Sequence, residues 1–297
     1  MTPKTATLTV LNDGQMHIFS KIADLQQLLA GLKKSGRKIG FVPTMGALHH
    51  GHLSLVGRAR SENEIVVASI FVNPTQFNNP EDLTNYPRTP EADAKQLSEA
   101  GTNVLFLPGD KEIYPSGPRK ESLIELGDLN HVMEGAHRPG HFDGVVQVVK
   151  RLFEIVHPDR AYFGEKDFQQ LAVIRFMTKA FMLPIEIVAC ETVREPSGLA
   201  MSSRNLRLSS SDLKEAARIS AALFFARDHW KAYQPEKLKE RIVSSIEEGG
   251  KLKVEYVEIA DAETLQPVSD WSLHKHARCF AAVYCAGIRL IDNVPLF

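Results

Sequence analysis

Ile39-Gly-Phe-Val-Pro-Thr-Met-Gly-Ala-Leu-His-His-Gly-His52 decides the reading of this chain, because the apolar run Ile39–Pro43 passes directly into a glycine-bearing turn that carries His49 and His52. The run has the composition of a strand buried on both faces. The amphipathic stretch Leu53-Ser-Leu-Val-Gly-Arg-Ala-Arg60 that follows predicts a helix. Strand, tight turn and helix make a phosphate-handling unit, since the first N–H groups of a helix lack partners inside it and the helix dipole favours an anion there. If the helix starts around the two histidines, their spacing puts both imidazoles on one face, where they can meet one triphosphate, and Gly51 lets a ligand come close. An H-x-G-H string alone is only moderately specific; its setting between a buried strand and a helix gives it weight.

Outward from that turn, short apolar runs alternate with helical patterns. Strands are expected at Lys38–Val42, Ile65–Val72, Asn103–Leu107, Arg160–Phe163 and Ile185–Cys190, and helices near 52–62, 91–100, 143–156 and 167–183. The alternation predicts an α/β fold with a Rossmann-like, doubly wound parallel sheet, whose ligand crevice lies beyond the carboxyl ends of the strands. Past Glu195-Pro-Ser-Gly198 the style changes to a Ser-rich segment, helices at 212–230 and 235–247, and strands at Lys253–Ile259 and Arg278–Tyr284, the order of a smaller C-terminal α+β domain. Asp212 and Glu215 are expected to cap the first of these helices reciprocally. The expected division is an N-terminal extension of unknown role (1–15), a Rossmann-like domain (16–192) and a C-terminal α+β lid domain (193–297).

The chain has 297 residues, enough for two domains with cores of their own. Lys plus Arg (35) nearly cancels Asp plus Glu (36), so no overall positive field exists to hold nucleic acid or an anionic membrane, and any anion site is local. The opening residues carry no apolar core of signal-peptide length and no segment approaches a membrane span, which points to a cytoplasmic protein. Cys190, Cys279 and Cys285 lack metal-ligand spacing and sit in apolar runs, so they are expected to be buried thiols.

Other segments carry chemistry at predicted strand ends. Gly164-Glu-Lys-Asp-Phe-Gln-Gln170 offers the Lys166 ammonium to a phosphate, Asp167 as a helix cap or ribose acceptor, and Gln170 facing the same way. Met201-Ser-Ser-Arg-Asn205 brings two hydroxyls, Ser202 and Ser203, and the permanently charged fork of Arg204 to a loop able to close over a triphosphate. Asn73 and Gln76, in Phe71-Val-Asn-Pro-Thr-Gln-Phe77, suit a neutral, hydroxyl-bearing substrate. Arg138 and His141 lie in the turn Arg138-Pro-Gly-His-Phe142. A triphosphate normally arrives with Mg²⁺, which keeps several waters; Asp93 and Gln96, three apart on the helix after Tyr86-Pro-Arg-Thr-Pro90, are the candidates to reach it or its waters. His49, His50 and His52 have no companion at zinc spacing. Taken singly, each of these segments also reads as an ordinary turn, helix start or surface loop.

Taken in order, six strings (43–52, 71–77, 86–89, 138–142, 164–170 and 201–205) resemble the pantothenate synthetase, or pantoate–β-alanine ligase, family of the nucleotidylyltransferase superfamily. The resemblance runs from about Met16 to Arg289-Leu-Ile-Asp-Asn293, and the leading segment is extra to it. It implies ATP-dependent formation of pantoyl adenylate and pyrophosphate, followed by attack of β-alanine to give pantothenate and AMP, in a homodimer using Mg²⁺ with ATP. By motif it also implies that His49, His52, Lys166, Ser202, Ser203 and Arg204 act on the phosphates, that Met45 contributes through its backbone, and that Gln76 and Gln170 hold pantoate. Gly164, Asp167, Val193 and Met201 would line the ATP site, Asn73 would lie near the reacting end, and Arg138 with His141 would support. Two other functions share parts of this pattern. An enzyme transferring AMP to a phosphate acceptor would need a further basic site, and a nucleotide-binding regulator would need no turnover.

Overall fold

In the computed structural model, residues 15–119 and 121–297 are described, so the expected N-terminal extension lies outside them except for Gln15. The chain runs β1 (His17–Phe19), α1 (Ile22–Lys34), β2 (Ile39–Thr44), α2 (His50–Glu62), β3 (Ile65–Ile70), α3 (Pro80–Thr84), α4 (Pro90–Glu99) and β4 (Val104–Phe106). It continues with α5 (Asp110–Ile113), α6 (Met133–His137), α7 (His141–Val156), β5 (Arg160–Gly164), α8 (Phe168–Ala180) and β6 (Glu186–Cys190). These six strands form one parallel sheet in the order β1-β4-β3-β2-β5-β6. From β2 the chain winds outward through β3 and β4 on one side and returns to β5 and β6 on the other. The order therefore reverses between β2 and β5, and the crevice beyond the carboxyl ends of those two strands is the switch point where open α/β sheets bind ligands.

β2 reads as an unbroken apolar run because both of its faces are covered: Phe41 packs with Phe106, Phe142 and Phe153 under α1, α7 and α8, while Val42 packs with Leu55, Val56 and Leu97 under α2 and α4. The expected strands and long helices of this sheet are present, with ends shifted by a few residues. The short helices α3, α5 and α6 were not anticipated, nor were β1 and α1. β1 is only three residues long and joins the sheet edge through β4, too short to show a period; α1 buries Leu25, Leu28 and Leu29 on one face.

After β6 the remaining elements build a second body from α9 (Ser210–His229), α10 (Pro235–Glu247), β7 (Leu252–Asp261), β8 (Ala277–Cys285) and β9 (Ile288–Pro295). The three strands are antiparallel in the order β7-β8-β9, and α9 and α10 cover one face through Leu223 and Ile242 against Cys279 and Val283. β9 was not anticipated: Asp292 and Asn293 interrupt its apolar pattern, yet each is only 3% exposed. The expected Asp212–Glu215 cap is corrected, because α9 starts earlier than its periodicity suggested. Ser209 is the cap, accepting from Asp212 N at 3.2 Å while its hydroxyl donates to Asp212 Oδ2 at 2.6 Å. All three cysteines are free and buried, as expected. Among the described residues no helix is long and apolar enough to cross a membrane.

Candidate active site

The turn after β2 is held in a shape its sequence alone would resist. Gly46 (φ +82°) and Ala47 (φ +49°) are both left-handed, which for a non-glycine residue costs on the order of 1 kcal/mol. Asp93, reaching in from α4, offsets this: its carboxylate accepts from Ala47 N at 2.9 Å, Leu48 N at 2.8 Å and Thr89 Oγ1 at 3.1 Å. Asp93 is 1% exposed and is not part of the cavity wall at the strand ends, nor is Gln96. The expectation that Asp93 and Gln96 serve magnesium is corrected on this ground, since both oxygens of Asp93 are committed to the turn. Asp93 therefore has no uncommitted oxygen for the ion, and Gln96 stands outside the cavity wall.

The turn delivers His49 as the N-cap of α2. His49 Nδ1 accepts from Gly51 N at 3.1 Å, and His52 Nδ1 accepts from His49 N at 3.3 Å, a reciprocal capping box built from two imidazoles with ring centroids 4.1 Å apart. A side chain on Gly51 would sit 2.8 Å from His49 Cε1, so this glycine makes room for the ring as well as for a ligand. Burial, together with the Lys166 charge, pushes His49 down to about 4; burial, His49 and Lys166 push His52 down to about 3. Both rings are therefore neutral at pH 7. Because each Nδ1 accepts a hydrogen bond, the one ring proton is on Nε2, which makes each Nε2 a neutral donor.

Facing them from the end of β5 stand Gly164, Lys166 and Asp167. The Lys166 ammonium is 3.2 Å from Asp167 Oδ2, whose side chain is 44% exposed, so the pair is open to exchange with a ligand. Asp167 occupies the N-cap position of α8 without a side-chain cap bond, leaving its carboxylate available. Val193 accepts at its carbonyl from Met201 N at 3.0 Å, folding the loop that follows back over the strand ends. In that loop the Ser202 hydroxyl accepts from Arg204 N at 3.3 Å. The Ser203 hydroxyl, expected on phosphate, instead donates to Ala47 O at 2.9 Å and fastens the loop to the histidine turn. Arg204 lines the cavity but is ion-paired with Asp82 of α3 at 2.7 Å, and Asp82 also holds Arg207 at 2.8 Å.

Met45, Asn73, Gln76 and Gln170 add a thioether and three amides to the cavity lining, together with Val145, Val148, Val149 and Leu152 from one face of α7. Gln76 Nε2 donates to Met45 Sδ at 3.2 Å. Asn73 is fully engaged, donating to Gly144 O and Gln76 Oε1 and accepting from Tyr114 and Thr75, so it shapes the wall. Arg138 and His141 do not line this cavity; both donate to the Gln76 carbonyl, at 3.3 and 2.8 Å, and so position Gln76 from behind. Sequence reasoning missed Tyr86, Asp82 and the valines of α7. Tyr86 stands within a string already singled out, whereas an apolar helix face is indistinguishable from core until the cavity is known.

Comparison with known proteins agrees with this geometry. Residues 17–295 match the family described as Pantoate-beta-alanine ligase. The chain is 50% identical over 279 residues to a pantothenate synthetase of Porphyromonas gingivalis, covering 94% of this chain and 99% of that one. It is 48% identical to one of Bacteroides thetaiotaomicron, over 94% and 98%. Among solved structures it is similar to the pantothenate synthetase from Thermus thermophilus (TM-score 0.88, 44% identity, 95% of this chain and 100% of that one). It also resembles the pantoate-beta-alanine ligase from Francisella tularensis complexed with beta-gamma ATP and beta-alanine (TM-score 0.79, 39% identity, 94% and 97%). With nearly its whole length matched, with this sheet order, and with histidine, lysine and serine–arginine segments meeting at one switch point, the chain belongs to the pantoate–β-alanine ligase family.

Proposed function

We propose that this protein is a ligase that joins pantoate to β-alanine at the expense of ATP. A pantoate carboxylate oxygen attacks the α-phosphorus of ATP and the bond to the bridging oxygen breaks, giving pantoyl adenylate and pyrophosphate. The β-alanine amine then attacks the acyl carbon, loses a proton, and expels AMP. One observation carries the reading: donors and cations from three separate segments (His49 and His52, Lys166, Ser202 and Arg204) line the same cavity as the amides Asn73, Gln76 and Gln170 and an apolar face of α7. The donors and cations suit a triphosphate, and the amide and apolar groups a small hydroxy acid.

Neutral Nε2–H groups on His49 and His52 donate to phosphate oxygens without adding charge, and Lys166 with Arg204 offsets the charge that builds on the α-phosphate and on departing pyrophosphate. Gln76 and Gln170 hold pantoate, the Met45 backbone aids its alignment, and Gly164, Asp167, Val193 and Met201 seat the adenosine. Magnesium enters with ATP as part of the substrate. An AMP transfer to a phosphate acceptor is disfavoured because, among the described residues that line the cavity, Lys166 and Arg204 are the only lysine and arginine, which leaves no further cation for a second phosphate. A homodimer in the cytoplasm completes the reading, supported by the family match; a light-scattering mass of one chain would overturn the dimer. The test of the reaction is pyrophosphate release from Mg-ATP. Release that requires pantoate, with pantothenate and AMP appearing only after β-alanine is added, is the expected outcome; release indifferent to pantoate would sink it.

A further inference from the structure

The antiparallel sheet reaches beneath the phosphate side of the cavity through two consecutive residues of β9. Asn293 donates from Nδ2 to two backbone carbonyls at once, Glu165 O and Lys166 O, each at 2.9 Å. Its Oδ1 accepts from Arg278 Nη1 of β8, and the same guanidinium donates through Nη2 to Glu165 Oε2 at 2.9 Å. The amide orientation is thereby decided: its oxygen faces a group that only donates, and its NH₂ faces two groups that only accept. Arg278 is held in turn by the Phe168 ring, 4.1 Å from its centroid. Next along β9, Asp292 accepts from Arg194 at 2.6 and 2.9 Å, and Arg194 also donates to Gly198 O at 3.0 Å, bracing the turn that leads into Met201–Arg204. Neither Asp292 nor Asn293 lines the ATP cavity.

We propose that Asn293, oriented by Arg278, is a positioning residue for Lys166, and that the Asp292–Asn293 pair sets the spacing between the lysine turn and the serine–arginine loop. The inference rests on the assignment of Lys166 to the phosphates. A lysine has a long, freely rotating stem, so its ammonium is placed accurately only if the backbone at its base is immobile. Two carbonyls pinned on adjacent peptides of a three-residue 3-10 turn immobilise that base, and a single extended strand links it to the second loop without a flexible joint. A small misplacement at this point is expected to reduce turnover more than substrate affinity.

Asn293→Asp keeps the size of the side chain and its contact with Arg278, but replaces the donor facing two carbonyls with an acceptor. The experiment is a double-mutant cycle of Asn293→Asp with Lys166→Ala, read as the rate of pantoate-dependent pyrophosphate release and as Tm. The expected result is a turnover loss on the order of tenfold for Asn293→Asp alone, and less than about twofold when Lys166 is already alanine. Wild-type turnover in Asn293→Asp overturns the proposal, and so does a loss that repeats in full without Lys166, because Asn293 then acts elsewhere. Wild-type turnover in Lys166→Ala removes the lysine from the phosphates and this proposal with it, an outcome separate from the other two. Should the aspartate variant fail to fold, Asn293→Ala, which cannot repel the carbonyls, is carried through the same cycle with the same outcomes.

Discussion

His49 and His52 act as neutral donors, and that state imposes a pH dependence on the fold. Their folded pKa values, about 4 and about 3, lie below the ordinary 6.5, as does that of His141, lowered to about 3 by burial and by Arg138. Between those values and 6.5 the unfolded chain binds more protons, so stability rises with pH and is lost as pH falls below 6.5. Each of these rings contributes up to about 1.4 kcal/mol of this loss per pH unit. The expected outcome is a Tm that declines from pH 7 to pH 5 without nucleotide and a shallower slope in His52→Gln; a Tm constant over that range would show that the rings protonate freely in the fold. Lys166→Ala is expected to slow pyrophosphate release by an amount equivalent to about 2–4 kcal/mol, the usual cost of a lost oxyanion donor. Its Tm should hardly change, because among the described residues the ammonium has only its neighbour Asp167 as a partner. The candidates that line the cavity, among them His49, His52, Lys166 and Arg204, were legible in the sequence, because their types and order carry the chemistry. Their hydrogen-bond partners were not: Ser203 meets Ala47 across 156 positions, and Asp93 is bound to backbone 45 positions away.

Elements decide how tightly the site is closed. Helix α3 lays Asp82 between Arg204 and Arg207, so the half-buried guanidinium of Arg204 that lines the cavity already has a carboxylate partner. Burial would raise the Asp82 carboxyl, but the two arginines outweigh it and hold it below the usual range. Asp82→Asn is expected to lower Tm, since Arg204 is left without a full counter-charge, and to increase the Tm gain on adding Mg-ATP, since the phosphates then replace the missing carboxylate. A smaller gain than in the wild type would mean that Asp82 stays on Arg204 in the complex and assists binding. β2, α2, β5 and α8 could be read from periodicity because each is an unbroken apolar run or stripe with a turn residue at its end. β1 and β9 could not: one has three residues, and the other places Asp292 and Asn293 where the period calls for core.

Across the molecule, the two sheets are tied by a buried charge cluster. Glu134 of α6 accepts from Arg289 of β9 at 2.7 and 2.8 Å, from the Tyr256 hydroxyl of β7 at 2.7 Å, and from Arg138 at 3.2 Å. Burial alone would raise its carboxyl, yet Arg289 and Arg138 hold it down at about 2, so this stabilisation persists above the ordinary 4.5 and fades as pH falls from there toward 2. Arg289→Leu, which leaves Glu134 buried without its main partner, is expected to cost on the order of 3–5 kcal/mol in urea unfolding, and Glu134→Gln in that background should recover part of it. No recovery would indicate that packing of the Arg289 stem, not charge, joins the two bodies. The sequence by itself determined the parallel sheet, its switch point and most of the polar residue types that line the cavity there, because strand and helix periods and turn chemistry are local properties. Only the tertiary structure decided which tautomer the histidines hold, that Asp93 braces a turn, and that a strand near the C-terminus carries the lysine turn. Those outcomes depend on hydrogen-bond partners brought together from distant parts of the chain, and no local pattern records them.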